Sequence, residues 1–155
     1  MELEAITDLE DRYAGRDGEP TLGDAYRTLL DRWENGATDR ETSLRLMFLA
    51  WYSCSEPCWL TGLPEDYDAN REVFQRALEH LGGEDTTDPE VMWTVGLMAS
   101  TFPYCCGDHD AWSAIGQRLV ARYDALPADQ RMNSDTFRAR GAYAQYFSHV
   151  GKSRW

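Results

Sequence analysis

Two segments limit what this chain can become: Leu44–Tyr52, "LRLMFLAWY", and Val91–Phe102, "VMWTVGLMASTF". Read at 3.6 residues per turn, each is apolar on almost every side. A helix made of either must be surrounded by other protein. The longest unbroken apolar run, Leu46–Tyr52, has seven residues, far short of the roughly 20 that cross a bilayer. Both segments predict internal helices, and the rest of the chain has to cover them.

The remaining sequence is patterned for that task. Leu3, Ile6, Leu9 and Tyr13 share one helical face, and the glycines at 15 and 18 are expected to end that helix. Leu22, Tyr26, Leu29, Leu30 and Trp33 form a second stripe behind Thr21, a suitable N-cap. Thr38 with Glu41, and Thr87 with Glu90, read as capping boxes for the two apolar helices. Pro57 and Pro103 are expected to stop those helices. Asp68, Asp110 and Ser134 are candidate caps for three more, carrying Phe74 and Leu78, Ile115 and Leu119, and Phe137 and Phe147. No alternating strand pattern competes.

The expected fold is all-α, a single domain over 1–155 of about seven helices. The helix starts near 21, 68 and 110 are 47 and 42 residues apart, the spacing of helix-pair repeats. "CSEPCW" at 54–59 also aligns with "STFPYC" at 100–105, proline on proline. This organisation resembles a short tetratricopeptide-type or HEAT-type array. An N-terminal capping helix over 1–15 would precede stacked antiparallel pairs over 20–55, 67–102 and 109–150. A compact helical bundle is the alternative.

In such an array the loops at 55–68 and 103–110 share an edge. That edge collects all four cysteines (Cys54, Cys58, Cys105 and Cys106), together with His109, Trp59 and Tyr104 and the acids Glu56, Glu65, Asp66, Asp68, Asp108 and Asp110. Three states are open to the cysteines. Reduced thiols are the expected one, since the acidic N-terminus lacks a signal-peptide pattern and a cytoplasmic protein rarely keeps disulfides. Zinc could be held by Cys54, Cys58, Cys106 and His109 if the loops converge. A disulfide could join Cys58 to Cys105 or Cys106.

The net charge is −12, and it is uneven: residues 1–90 hold 22 acidic and 8 basic residues, residues 91–155 hold 5 and 7. Such a surface repels phosphate backbones and attracts a basic protein. No phosphate-binding loop, H-E-x-x-H or G-x-S-x-G motif is present. The sequence therefore points to a non-enzymatic interaction module without a cofactor. It would be an adaptor or complex subunit binding a protein partner through Trp59, Glu56, Glu65, Asp66, Asp68, Tyr104, Asp108 and Asp110. One alternative is a bacterial immunity-type protein neutralising a basic toxin. The other is a zinc- or thiol-dependent enzyme at the cysteine edge.

Overall fold

The computed structural model describes residues 1–13 and 18–151 and is wholly helical, with no strand among the described residues. Its helices are α1 (Leu3–Tyr13), α2 (Leu22–Glu34), α3 (Arg40–Ser55), α4 (Cys58–Thr61), α5 (Tyr67–His80), α6 (Pro89–Thr101), α7 (His109–Asp124) and α8 (Gly141–Gly151). Single 3-10 turns at Gly83–Asp85, Pro103–Cys105 and Ala128–Gln130 punctuate the connections. The stop expected at Gly15 lies outside the described residues.

Aspartate starts four of these helices. Asp39, Asp66, Asp88 and Asp108 accept hydrogen bonds from the backbone N–H groups of Thr42, Ala69, Glu90 and Ala111. These caps replace the expected Thr38, Asp68, Thr87 and Asp110, one or two residues away. A carboxylate is the stronger acceptor there and also complements the helix dipole. Thr21 makes no cap bond. Its hydroxyl donates to the Leu9 carbonyl instead and ties α2 to α1.

The two apolar segments occupy the interior. Every residue from Thr42 to Trp51 is buried, as is every residue from Glu90 to Gly96. Phe48, Leu49 and Val95 are sealed in the core, whereas Leu97 is only half-buried at its rim. Trp33, Trp51 and Trp93 are core residues; Trp112 is partly exposed and packs edge-on against Phe74 at 5.5 Å.

Helix partnership departs from the expected pairs. The most extensive contacts join α3 to α5 and α6 to α7, across the pair boundaries; α3 also packs on α2 and α8, and α1 packs on α2 and α8. A helix that is apolar all round needs neighbours on several sides, so α3 and α6 recruit the amphipathic helices that follow them. The result is a compact bundle. Two glycines let α6 and α7 approach closely: a Cβ on Gly116 would come within 2.9 Å of the Ser100 backbone nitrogen, and one on Gly96 within 3.0 Å of Val120.

The final helix starts later than its sequence pattern suggests. Residues 134–140 are turns and bends, and the left-handed Ala139 (φ 56°) and Gly141 (φ 70°) keep a right-handed helix from running back through them. Long-range contacts override local propensity here. Phe137 is buried 5.4 Å from Trp93. Arg140 forks onto both Glu41 (2.7 Å) and Glu90 (2.8 Å).

Candidate functional site

The last turn of α3 and the turn after α6 meet, as the repeat alignment requires. They meet through a covalent bond: Cys54 and Cys105 form a disulfide, with Cα atoms 5.6 Å apart. Cys58 and Cys106 remain thiols. This corrects both the expectation of four reduced thiols and the expected pairing through Cys58. Cys54 lies on the helix proper and faces the Pro103–Cys105 turn, whereas Cys58 comes after Pro57 and its thiol is turned onto the Glu65 carboxylate at 2.8 Å. The zinc quartet of Cys54, Cys58, Cys106 and His109 is not assembled. The sulfur of Cys54 is spent on Cys105, and no three His, Cys, Asp or Glu side chains among the described residues converge to hold a metal ion.

Both free thiols lie in surroundings that raise their pKa values. The Glu65 carboxylate, accepting from Cys58, pushes that thiol above its ordinary pKa. Burial alone pushes Cys106 far higher. Both favour the unreactive protonated form. His109 is exposed and engages Asp110 at 3.0 Å.

The short helix α4 follows from Pro57, which cannot continue α3 but begins a new turn, and from Gly62, whose left-handed φ of 76° ends it. Its inner side is seated tightly. A Cβ on Gly23 would overlap the Gly62 carbonyl, so α4 lies directly on the first turn of α2. Thr61 is buried and accepts from the Leu63 N–H at 3.1 Å. Buried Asn70 completes the seat, donating to Ser53 Oγ (2.8 Å) and the Pro64 carbonyl (2.9 Å) and accepting from the Tyr26 hydroxyl (3.1 Å).

With one side of α4 anchored, the other is presented outward. Trp59 is 78% exposed and Leu60 40%. Tyr67 at the start of α5 (40%) and Tyr104 in the turn after α6 (45%) join them as large apolar side chains left open. Leu60 and Tyr67 carry no sequence mark, because their exposure depends on which side of α4 and α5 faces inward. Arg71 is a second omission. Its Nε donates to the Tyr104 carbonyl (2.7 Å) and its Nη1 to Asp68 (2.9 Å), tying the 103–105 turn to α5. Gln75, one turn on, donates to the Cys106 carbonyl at 2.8 Å.

The carboxylates divide by role. Asp66 and Asp108 are helix caps, Asp68 pairs with Arg71, and Glu65 takes the Cys58 thiol. Glu56 is half-buried at the end of α3, and Asp110 is fully open beside His109. Asp108 and Asp110 open α7, beyond the contact of Cys106 with Gln75. Glu56, Glu65, Asp66 and Asp68 belong to the segment that carries Trp59. No protein-family model matches this chain, and neither a curated protein nor a solved structure matches it.

Proposed function

We propose that this protein acts by binding another protein, as an adaptor or complex subunit, through the edge built from Trp59, Leu60, Tyr67 and Tyr104. One observation carries this reading. Apart from Met1, these four are the large exposed hydrophobic side chains among the described residues, and they come from segments tied together by Arg71 and the Cys54–Cys105 bond. Tryptophan and tyrosine are the side chains most often found to anchor interfaces, because each brings a large rigid surface with a polar tip.

The acids around them, Glu56, Glu65, Asp66 and Asp68, favour a basic partner. They would speed encounter and fix orientation more than they would add affinity. An immunity-type protein that captures a basic toxin would use the same surface in the same way, with the −14 balance of residues 1–90 as the steering field. No helix among the described residues is long and apolar enough to cross a membrane. The disulfide bears on compartment, since such bonds persist where the surroundings are oxidising and are rare in the cytoplasm.

The test is site-specific cross-linking in the source cell. A photoreactive residue at position 59 should yield a discrete adduct with a basic protein, lost when Tyr67 and Tyr104 are both changed to alanine. The same residue at Gln117, exposed on α7, should yield none. No adduct at 59, or an equal one at 117, rejects the reading.

A further inference from the structure

Three helices that carry no part of the Trp59 edge, apart from the end of α3, enclose a second feature. Tyr13 closes α1, Phe48 and Tyr52 lie one turn apart on α3, and Gln145 and Tyr146 lie on α8; together they line a pocket of about 210 Å³. The volume is below the roughly 300–1,000 Å³ of sites for drug-sized ligands, so it suits a head group. The walls are mainly aromatic, and they do not form a flat slot. Taking Tyr52 as reference, Tyr13 stands at 84° to it (centroids 6.5 Å apart) and Tyr146 at 64° (5.8 Å). Phe48 stacks behind Tyr52 at 5.0 Å and is fully buried. The Tyr13 and Tyr52 hydroxyls are 3.4 Å apart, which joins two of the walls.

Rings inclined steeply to one another can touch a tetrahedral group on several sides, which a planar ligand could not exploit. Each ring face is negative and attracts a cation. The surrounding charge has the same sign. Glu56 lies one turn past Tyr52, close enough that its charge adds to burial in raising the phenol pKa values of Tyr52 and Tyr146. Asp11 accepts from Gln145 Nε2 at 2.9 Å. Among the described residues no lysine or arginine lines the pocket, and His149 is the one basic ring there.

We infer that this pocket binds a small organic cation with a trimethylammonium head, enclosed by Tyr13, Tyr52 and Tyr146 with Glu56 and Asp11 nearby. Methylated ammonium fits better than a primary one, because it sheds its water at lower cost and its methyl groups pack against ring faces. A carboxylate on the ligand would meet Glu56 and Asp11, so choline should bind better than glycine betaine.

Isothermal titration of the intact chain decides the matter. Tetramethylammonium and choline should bind, and 3,3-dimethyl-1-butanol, the neutral isostere of choline, should bind about tenfold more weakly, the size of a desolvated cation–π contact. Fluorinated tyrosine at position 146 keeps ring shape while draining the negative face, so affinity should fall stepwise with fluorine count. Tyr146→Leu should lose about tenfold with an unchanged circular dichroism spectrum. Equal binding of the neutral isostere, indifference to fluorination, or no binding of either cation overturns the inference. A peptide bearing trimethyllysine is the final arm: if it binds and choline does not, the assignment to a small molecule is wrong.

Discussion

The sulfur of Cys54, in the last turn of α3, is bonded to the sulfur of Cys105, 51 residues later, in the turn that follows α6. The bond closes a loop that holds α4, α5 and α6 and both halves of the Trp59 edge. Its stabilising effect comes mainly from restricting the unfolded chain, and such bonds typically contribute about 2–4 kcal/mol. Cys54→Ser should therefore lower stability by about that amount in oxidising buffer, and a reductant should bring wild type down to the variant. Cys58→Ser should change stability by about 1 kcal/mol or less, because its thiol is a donor to the exposed Glu65 carboxylate, a role a serine hydroxyl can take. Urea unfolding with and without reductant measures both. Equal effects of the two substitutions would show that the bond does not form.

Trp59 separates binding from folding. Its side chain is largely open to solvent, so Trp59→Ala should leave stability within about 0.5 kcal/mol. Affinity for the partner should drop by about 2 kcal/mol, close to thirtyfold, as for a central aromatic anchor. Association should slow as salt rises from 0.05 to 0.5 M, because screening removes the steering of Glu56, Glu65, Asp66 and Asp68. A salt-independent rate would place the contact on the apolar residues alone.

Glu10 gives stability a pH dependence. It is buried against Arg45 in α3, and one of its carboxylate oxygens, Oε1, has no hydrogen-bond partner among the described residues. Burial outweighs the opposing pull of Arg45 and pushes the carboxyl up to about 7. A raised pKa means the folded state holds the proton more tightly than the unfolded state. The contribution is fully present below pH about 4.5 and is lost as pH rises through about 7, by about 3 kcal/mol. Glu10→Gln should flatten that part of the stability curve. An unchanged slope between these pH values would show that Arg45 holds the carboxyl ionised throughout.

Arg140 is the node that ends the irregular segment before α8. It bonds Glu41 and Glu90, while Glu90 also accepts from the Tyr143 hydroxyl at 2.6 Å and lies 3.4 Å from Arg40. Arg140→Met leaves Glu90 buried with less compensation and should cost about 3–5 kcal/mol. Tyr143→Phe removes one neutral donor and should cost about 1–3 kcal/mol. The double variant should lose less than the two single losses combined, because both act on the same carboxylate. Full additivity by denaturant unfolding would show that the two contacts are independent.

Much of the helix pattern could be read without coordinates, because it is set by residues three or four apart. The stripes ending at Trp33 and Leu78 and the all-round apolarity of 44–52 and 91–102 correctly place the amphipathic and interior helices. Each aspartate cap lies within two residues of the threonine or aspartate expected there. The nearness of the 54–59 and 103–106 segments was also legible, from their aligned prolines. Tertiary structure alone decided what those segments do on meeting. A residue's rotation about a helix axis changes by about 100° per position, so the choice of Cys54 over Cys58 as the partner of Cys105 depends on where α3 stops at Pro57. The same holds for the outward turn of Trp59, Leu60 and Tyr67. For Trp59 and Leu60 it depends on α4 lying against Gly23, a contact between residues nearly 40 positions apart. The pairing of α3 with α5 and of α6 with α7, the burial of Arg45 on Glu10, and the late start of α8 have the same cause. Each is fixed by where distant side chains find room and opposite charge, and periodicity along the chain does not encode that.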